Sequence, residues 1–241
     1  MLTLLDQAPL TEASKTANLR FLASELRDFA TGMRALERNE PAEAQAASAR
    51  LDAGLWRLRQ DHAELSKAPA QVKADTPVKA DKKDASPMVP VMPDAMPGPL
   101  MSSLSVASLE LRAGVLAVQG KLEEAKKLYA TAAKDEKTLG YHEPPLYIRP
   151  VGETEAAILL QVKDYPGARD AYKSALEERP GSGFGLYGLA RVKELCGDTE
   201  GARVGYQTFL KAWSAADVNL PEVAHAREIL STQTLADGHS K

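Results

Sequence analysis

Apolar residues near the start of this chain recur at three- and four-residue spacing: Leu19, Leu22, Leu26, Phe29, Met33 and Leu36. That is the period of one helix face, and it predicts a helix over 12–38. Asn39-Glu40-Pro41 interrupts the pattern. Proline suits the first turn of the next helix, where its missing N–H is no loss. A second periodic run, with Ala44, Ala47, Leu51, Leu55, Leu58 and Leu65, predicts helix over 42–66. Together, residues 12–66 read as an N-terminal helical hairpin.

The pattern then breaks. Seven of the 15 prolines lie between Pro69 and Pro99, and four of the 6 methionines between Met88 and Met101. Val72-Lys73-Ala74-Asp75 is echoed by Val78-Lys79-Ala80-Asp81. Proline removes a donor and blocks helix, so 67–103 reads as a Pro/Met/Lys-rich linker or loop. It is either an insertion between two helical units or an extended segment whose methionines dock on a neighbouring surface.

Helical periodicity returns at 104 and falls on a ruler. Gln119-Gly120-Lys121-Leu122-Glu123, Val162-Lys163-Asp164-Tyr165-Pro166 and Cys196-Gly197-Asp198-Thr199-Glu200 are helix-turn phrases of one kind. Counted from them, position 8 is Ala113, Ala156 and Ala190, position 20 is Ala125, Ala168 and Ala202, and position 24 is Tyr129, Tyr172 and Tyr206. Small residues at two facing positions let helix axes approach to roughly 8–10 Å, and a tyrosine beside them fills the remaining space. Gly120 and Gly197 suit the left-handed stop of a first helix, with Lys163 a less comfortable choice in the middle unit. Asp164 and Asp198 are expected to cap the second helix.

A 34-residue helix-turn-helix period with these small and aromatic positions resembles the tetratricopeptide repeat (TPR). The resemblance implies an all-α fold, a right-handed TPR superhelix of antiparallel hairpins. It implies a TPR array over 104–235, with repeats at about 106–139, 149–182 and 183–216 and a capping helix over 221–235. On the same ruler Gly32 and Ala44 make 25–58 a degenerate repeat. Tyr141-His142-Glu143-Pro144-Pro145, Leu186-Tyr187-Gly188-Leu189-Ala190 and Lys211-Ala212-Trp213-Ser214 narrow the match. They are similar to the C-terminal region of a group of bacterial TPR proteins that continue upstream with a further repeat array. This chain then corresponds to the C-terminal half of a longer protein or to a truncated product.

Composition narrows the function. A formal net charge of −3 argues against a dedicated nucleic-acid binder, which usually shows a basic face. The lone Cys196 excludes an intramolecular disulfide and reads as a half-buried structural thiol. No apolar run reaches the ~20 residues of a bilayer span, and Met1-Leu2-Thr3-Leu4-Leu5-Asp6 lacks the basic start of a signal peptide. The chain as written is expected to be cytoplasmic and not to insert in a membrane.

Candidate chemistry is sparse. The histidines at 62, 142, 225 and 239 show no His-x3-His pair, and zinc catalysis needs three convergent ligands. Gly181-Ser182-Gly183-Phe184-Gly185 lacks the preceding strand and following lysine of a phosphate loop. No cofactor, metal or enzymatic activity is expected. The resemblance instead points to a concave groove for a protein or peptide partner. Its ruler positions are occupied by Glu110 in the first repeat, Glu153 and Gln161 in the second, and Phe184, Tyr187, Arg191 and Glu194 in the third. Glu110 and Gly114 stand where TPRs that grip a carboxylate place Lys and Asn, which argues against that clamp. A rival expectation has the groove filled by this chain's own linker or by upstream repeats. Further alternatives are a structural or regulatory subunit of an assembly or homo-oligomer, and a small-ligand carrier.

Overall fold

A computed structural model describes residues 17–67, 98–140, 146–147, 149–217 and 220–238. The described residues are all-α, with no strand among them. Helices α1 (Ala17–Glu37) and α2 (Pro41–Lys67) form the first pair. Three more pairs follow: α3 (Gly98–Val118) with α4 (Leu122–Thr138), α5 (Val151–Gln161) with α6 (Tyr165–Glu178), and α7 (Gly183–Leu195) with α8 (Thr199–Ala212). A last helix, α9 (Pro221–Gly238), packs on α8. Residues 98–103, assigned by their prolines to the linker, are the first turns of α3. Pro99 sits in its first turn, and the Ser103 hydroxyl donates to the Pro99 carbonyl at 2.9 Å. The rest of the Pro/Met segment, 68–97, lies outside the described residues, as do His142 and Glu143.

All four pairs turn in one way. The residue that ends each first helix has positive φ: Asn39 57°, Gly120 81°, Lys163 65° and Gly197 79°. The next N–H donates five residues back, from Glu40 to Ala35 at 2.8 Å and from Lys121 to Leu116, Asp164 to Leu159 and Asp198 to Lys193 at 2.9 Å. This is the left-handed stop that satisfies orphaned helix carbonyls. Asp164 and Asp198 then cap α6 and α8, accepting from the Gly167 and Gly201 amides at 3.1 and 2.9 Å. Lys163 alone of the four is neither glycine nor asparagine. A left-handed residue with a Cβ costs roughly 1–2 kcal/mol. Lys163→Gly should therefore raise stability by about 0.5–1 kcal/mol, after the greater unfolded-state freedom of glycine is offset. Urea denaturation checks it; a midpoint that falls would show the turn is unstrained.

Stacking follows from small residues. Ala113, Ala125, Ala156, Ala168, Ala190 and Ala202 are all buried. A Cβ added to Gly205 of α8 would fall 2.7 Å from the Ala190 Cβ of α7, so these helices touch at their smallest side chains. Between pairs, the Tyr172 ring of α6 lies over the backbone of α7, where a Cβ on Gly188 would sit 2.1 Å from it. First helices pack on first helices, α1 on α3, α3 on α5 and α5 on α7. Each second helix packs on the first helix that follows: α2 on α3, α4 on α5 and α6 on α7. The N-terminal pair is thus continuous with the rest. Leu36 of α1, Leu51 and Leu55 of α2, Leu104 and Leu111 of α3, Ala125 of α4 and Ile158 of α5 share one core cluster.

Helix α3 is long and apolar enough to cross a membrane by length and composition, against the expectation of no such run. However, 56% of that stretch is buried inside the fold. Its apolar content serves contacts with α1, α2, α4 and α5. Cys196, expected to be half-buried, is exposed just after α7.

Candidate partner-binding face

Helix α7 starts at Ser182, whose hydroxyl accepts from the Gly185 amide at 3.3 Å. Its glycines face packed neighbours: a Cβ on Gly183 would collide with the Trp213 indole at 1.7 Å, as one on Gly188 would with Tyr172. Phe184, Tyr187, Arg191 and Glu194 recur at three- and four-residue spacing and so share a stripe along α7.

The stripe is graded. Phe184 is 47% exposed, and its ring meets Trp213 edge-on at 5.2 Å. The Arg149 guanidinium lies 5.9 Å from the Phe184 ring centre. Tyr187 is half-buried against Phe209 at 5.5 Å, Tyr206 at 5.7 Å and His225 at 6.0 Å. Beyond it stands a polar node. Arg191 and the Tyr206 hydroxyl both donate to Glu194. His225 Nε2, on α9, lies 3.0 Å from Glu194 Oε2 and 3.1 Å from Arg191 Nη1. One nitrogen can serve one of these contacts at a time: it donates to the carboxylate or accepts from the guanidinium. Partial burial alone would raise the Glu194 carboxyl. Hydrogen bonds from Arg191, Tyr206 and His225 outweigh it and hold the group below the usual carboxylate range.

This geometry revises part of the expected groove. Tyr187 and Arg191 do not stand free in a concavity, because α9 brings His225 against both. The sequence reading missed His225, whose only signal was its place inside the last periodic helix. Glu110 is fully buried, since Tyr147 from the segment between α4 and α5 folds over it and donates its hydroxyl to the carboxylate. Burial pushes Glu110 up to about 7, against the hydrogen bond from Tyr147 and the Arg149 charge. Glu153 is buried too and accepts from the Ser182 hydroxyl. Neither carboxylate can meet a ligand without exposing its partner. Gln161 remains exposed, but its amide donates to the Leu36 carbonyl of α1 at 2.8 Å. Gly114 is covered by the same residue, as a Cβ there would fall 2.4 Å from Leu36 Cδ1. The side of the stack nearer α1 is therefore filled by Leu36 and Tyr147, whereas the Phe184 side chain is exposed.

Among the described residues no three histidines, cysteines, aspartates or glutamates converge as metal ligands. The arrangement offers recognition chemistry: an exposed aromatic, a guanidinium, and a rigid acidic node. Comparison of the chain with family models, curated proteins and solved structures finds no match.

Proposed function

We propose that this chain is a non-enzymatic interaction module of the TPR type. In this reading its hairpins continue as a right-handed superhelix, α9 caps the last repeat, and a peptide or partner protein is held along α7. One observation carries it: Phe184, 47% exposed, is presented on α7 beside Trp213 and Arg149. Exposed aromatics next to arginine are the residue types on which binding energy concentrates. The repeated turn, the buried alanine crossings and the tyrosine-over-glycine stacking support the TPR reading.

A photo-crosslinking phenylalanine analogue at position 184, introduced into the full chain in its native host, should form one discrete adduct with a partner. The analogue at Thr131, exposed on α4, should not. Phe184→Ala should weaken binding of the captured partner by about 2 kcal/mol and stability by less than about 1 kcal/mol. Adducts that form equally from both positions would overturn the assignment. A second reading, a structural subunit or homo-oligomer, is favoured by Trp56, which is 62% exposed on α2. The same analogue at Trp56 would then link two copies of the chain.

A further inference from the structure

Arg149 is an exposed cation whose charge reaches the buried Glu110 carboxyl. It precedes α5, and its guanidinium lies against the Phe184 ring. Among the described residues no carboxylate stands in ion-pair range of it, although several acids lie on the elements around it. Each is committed elsewhere. Glu136 of α4 accepts from the Val151 amide at 2.9 Å, so it caps α5, which has no side-chain cap of its own. Glu153 accepts from Ser182 and is buried. Glu110 accepts from Tyr147 and is buried. The exposed Arg149 guanidinium therefore lies beside an apolar wall.

The wall is built, not incidental. Trp213 reaches the start of α7 only because residue 183 is glycine, and it fixes the Phe184 ring edge-on. Trp213 is itself anchored against Phe209, 5.7 Å away, which is fully buried. A guanidinium offers paired donors that match a carboxylate fork, and its pairing strengthens where an apolar surface excludes water. The two rings offer contact area for an aliphatic, aromatic or proline side chain. Resting on the α7 reading above, we propose that the Arg149–Phe184–Trp213 cluster recognises a partner peptide segment that carries a carboxylate next to an apolar side chain. It is separate from the positions at which TPR proteins clamp a chain-terminal carboxylate, since Glu110 and Gly114 occupy those.

The test is selection of random twelve-residue peptides displayed on phage against the full chain. Selected peptides are then measured as free synthetic peptides on the parent, Arg149→Glu, Arg149→Lys and Phe184→Ala. The expected result is enrichment of Asp or Glu within one or two residues of an apolar side chain. Affinity should fall tenfold or more in Arg149→Glu and Phe184→Ala, and less in Arg149→Lys, which keeps the charge but loses the fork. Peptides that need Phe184 but ignore the charge at 149 would overturn this chemistry and leave the α7 face standing. Peptides indifferent to both residues, or no enrichment, would overturn both readings. Arg149-dependent binding of the oligonucleotide dT12 would assign the cluster to phosphate and overturn the peptide proposal.

Discussion

Ala168→Asp should lower the free energy of unfolding by on the order of 3 kcal/mol or more. Ala168 of α6 is 0% exposed and shares a core cluster with Ala156, Leu159, Tyr172 and Val192. An aspartate there would place a carboxylate among apolar neighbours with no donor to meet it. It would also force apart two helices whose approach depends on alanine at both sides of the crossing. The cluster joins α5, α6 and α7, so the loss should spread beyond one hairpin and lower the whole transition. Thermal unfolding followed by circular dichroism measures it. A midpoint within about a degree of the parent would mean the crossing is loose and the alanine register carries no packing role.

Glu110 should make the protein more stable in mild acid than in mild base. Its folded value, about 7, lies above the 4.5 of an ordinary glutamate. A group whose value is raised on folding binds its proton more tightly in the folded state. Its contribution is therefore full at and below pH 4.5 and is lost as pH climbs through about 7. A shift of that size corresponds to about 3 kcal/mol between the two ends of the window. Glu155, pushed up to about 7 by burial against the opposing pull of Lys126, acts with the same sign. Glu110→Gln keeps the shape and an acceptor for the Tyr147 hydroxyl while removing the titration. Urea unfolding at pH 5 and pH 8 should show a parent that loses stability with rising pH. The variant should lose less, by about 3 kcal/mol. Equal losses in both proteins would show that Glu110 is solvated as an ordinary carboxylate.

The sequence made the hairpins readable because their constraints are local. A turn needs a left-handed stop, a crossing needs small residues, and a cap needs a short acceptor; Gly120, Ala156 and Asp198 record these directly. Lys163 was readable as an ill-suited residue for the same reason. The candidate site was less legible, because its occupants come from outside the regular positions. Tyr147 lies in an insertion that the period does not index, and it turns Glu110 from a groove residue into a buried one. Leu36 meets Gln161 and Gly114 across long stretches of chain. His225 joins Arg191 and Glu194 from a last helix that belongs to no complete unit. A periodic pattern fixes which face of a helix a residue occupies, whereas these contacts decide what covers that face. Phe184 kept its expected exposure because its neighbour, Trp213, approaches from the side.

The direct packing of α2 on α3 has a further consequence for how this chain can be cut and rejoined. Lys67 and Gly98 are the ends of helices that already touch, so residues 68–97 join two places that the core holds together. For a connector of that kind, doubling its length adds only about 0.6 kcal/mol to the closure cost. The contact between α2 and α3 itself, more than the length of chain that joins them, then sets how firmly the two helices are held together. Opening the chain between Lys67 and Gly98 should therefore yield two pieces that reassociate through the α1–α2–α3 core.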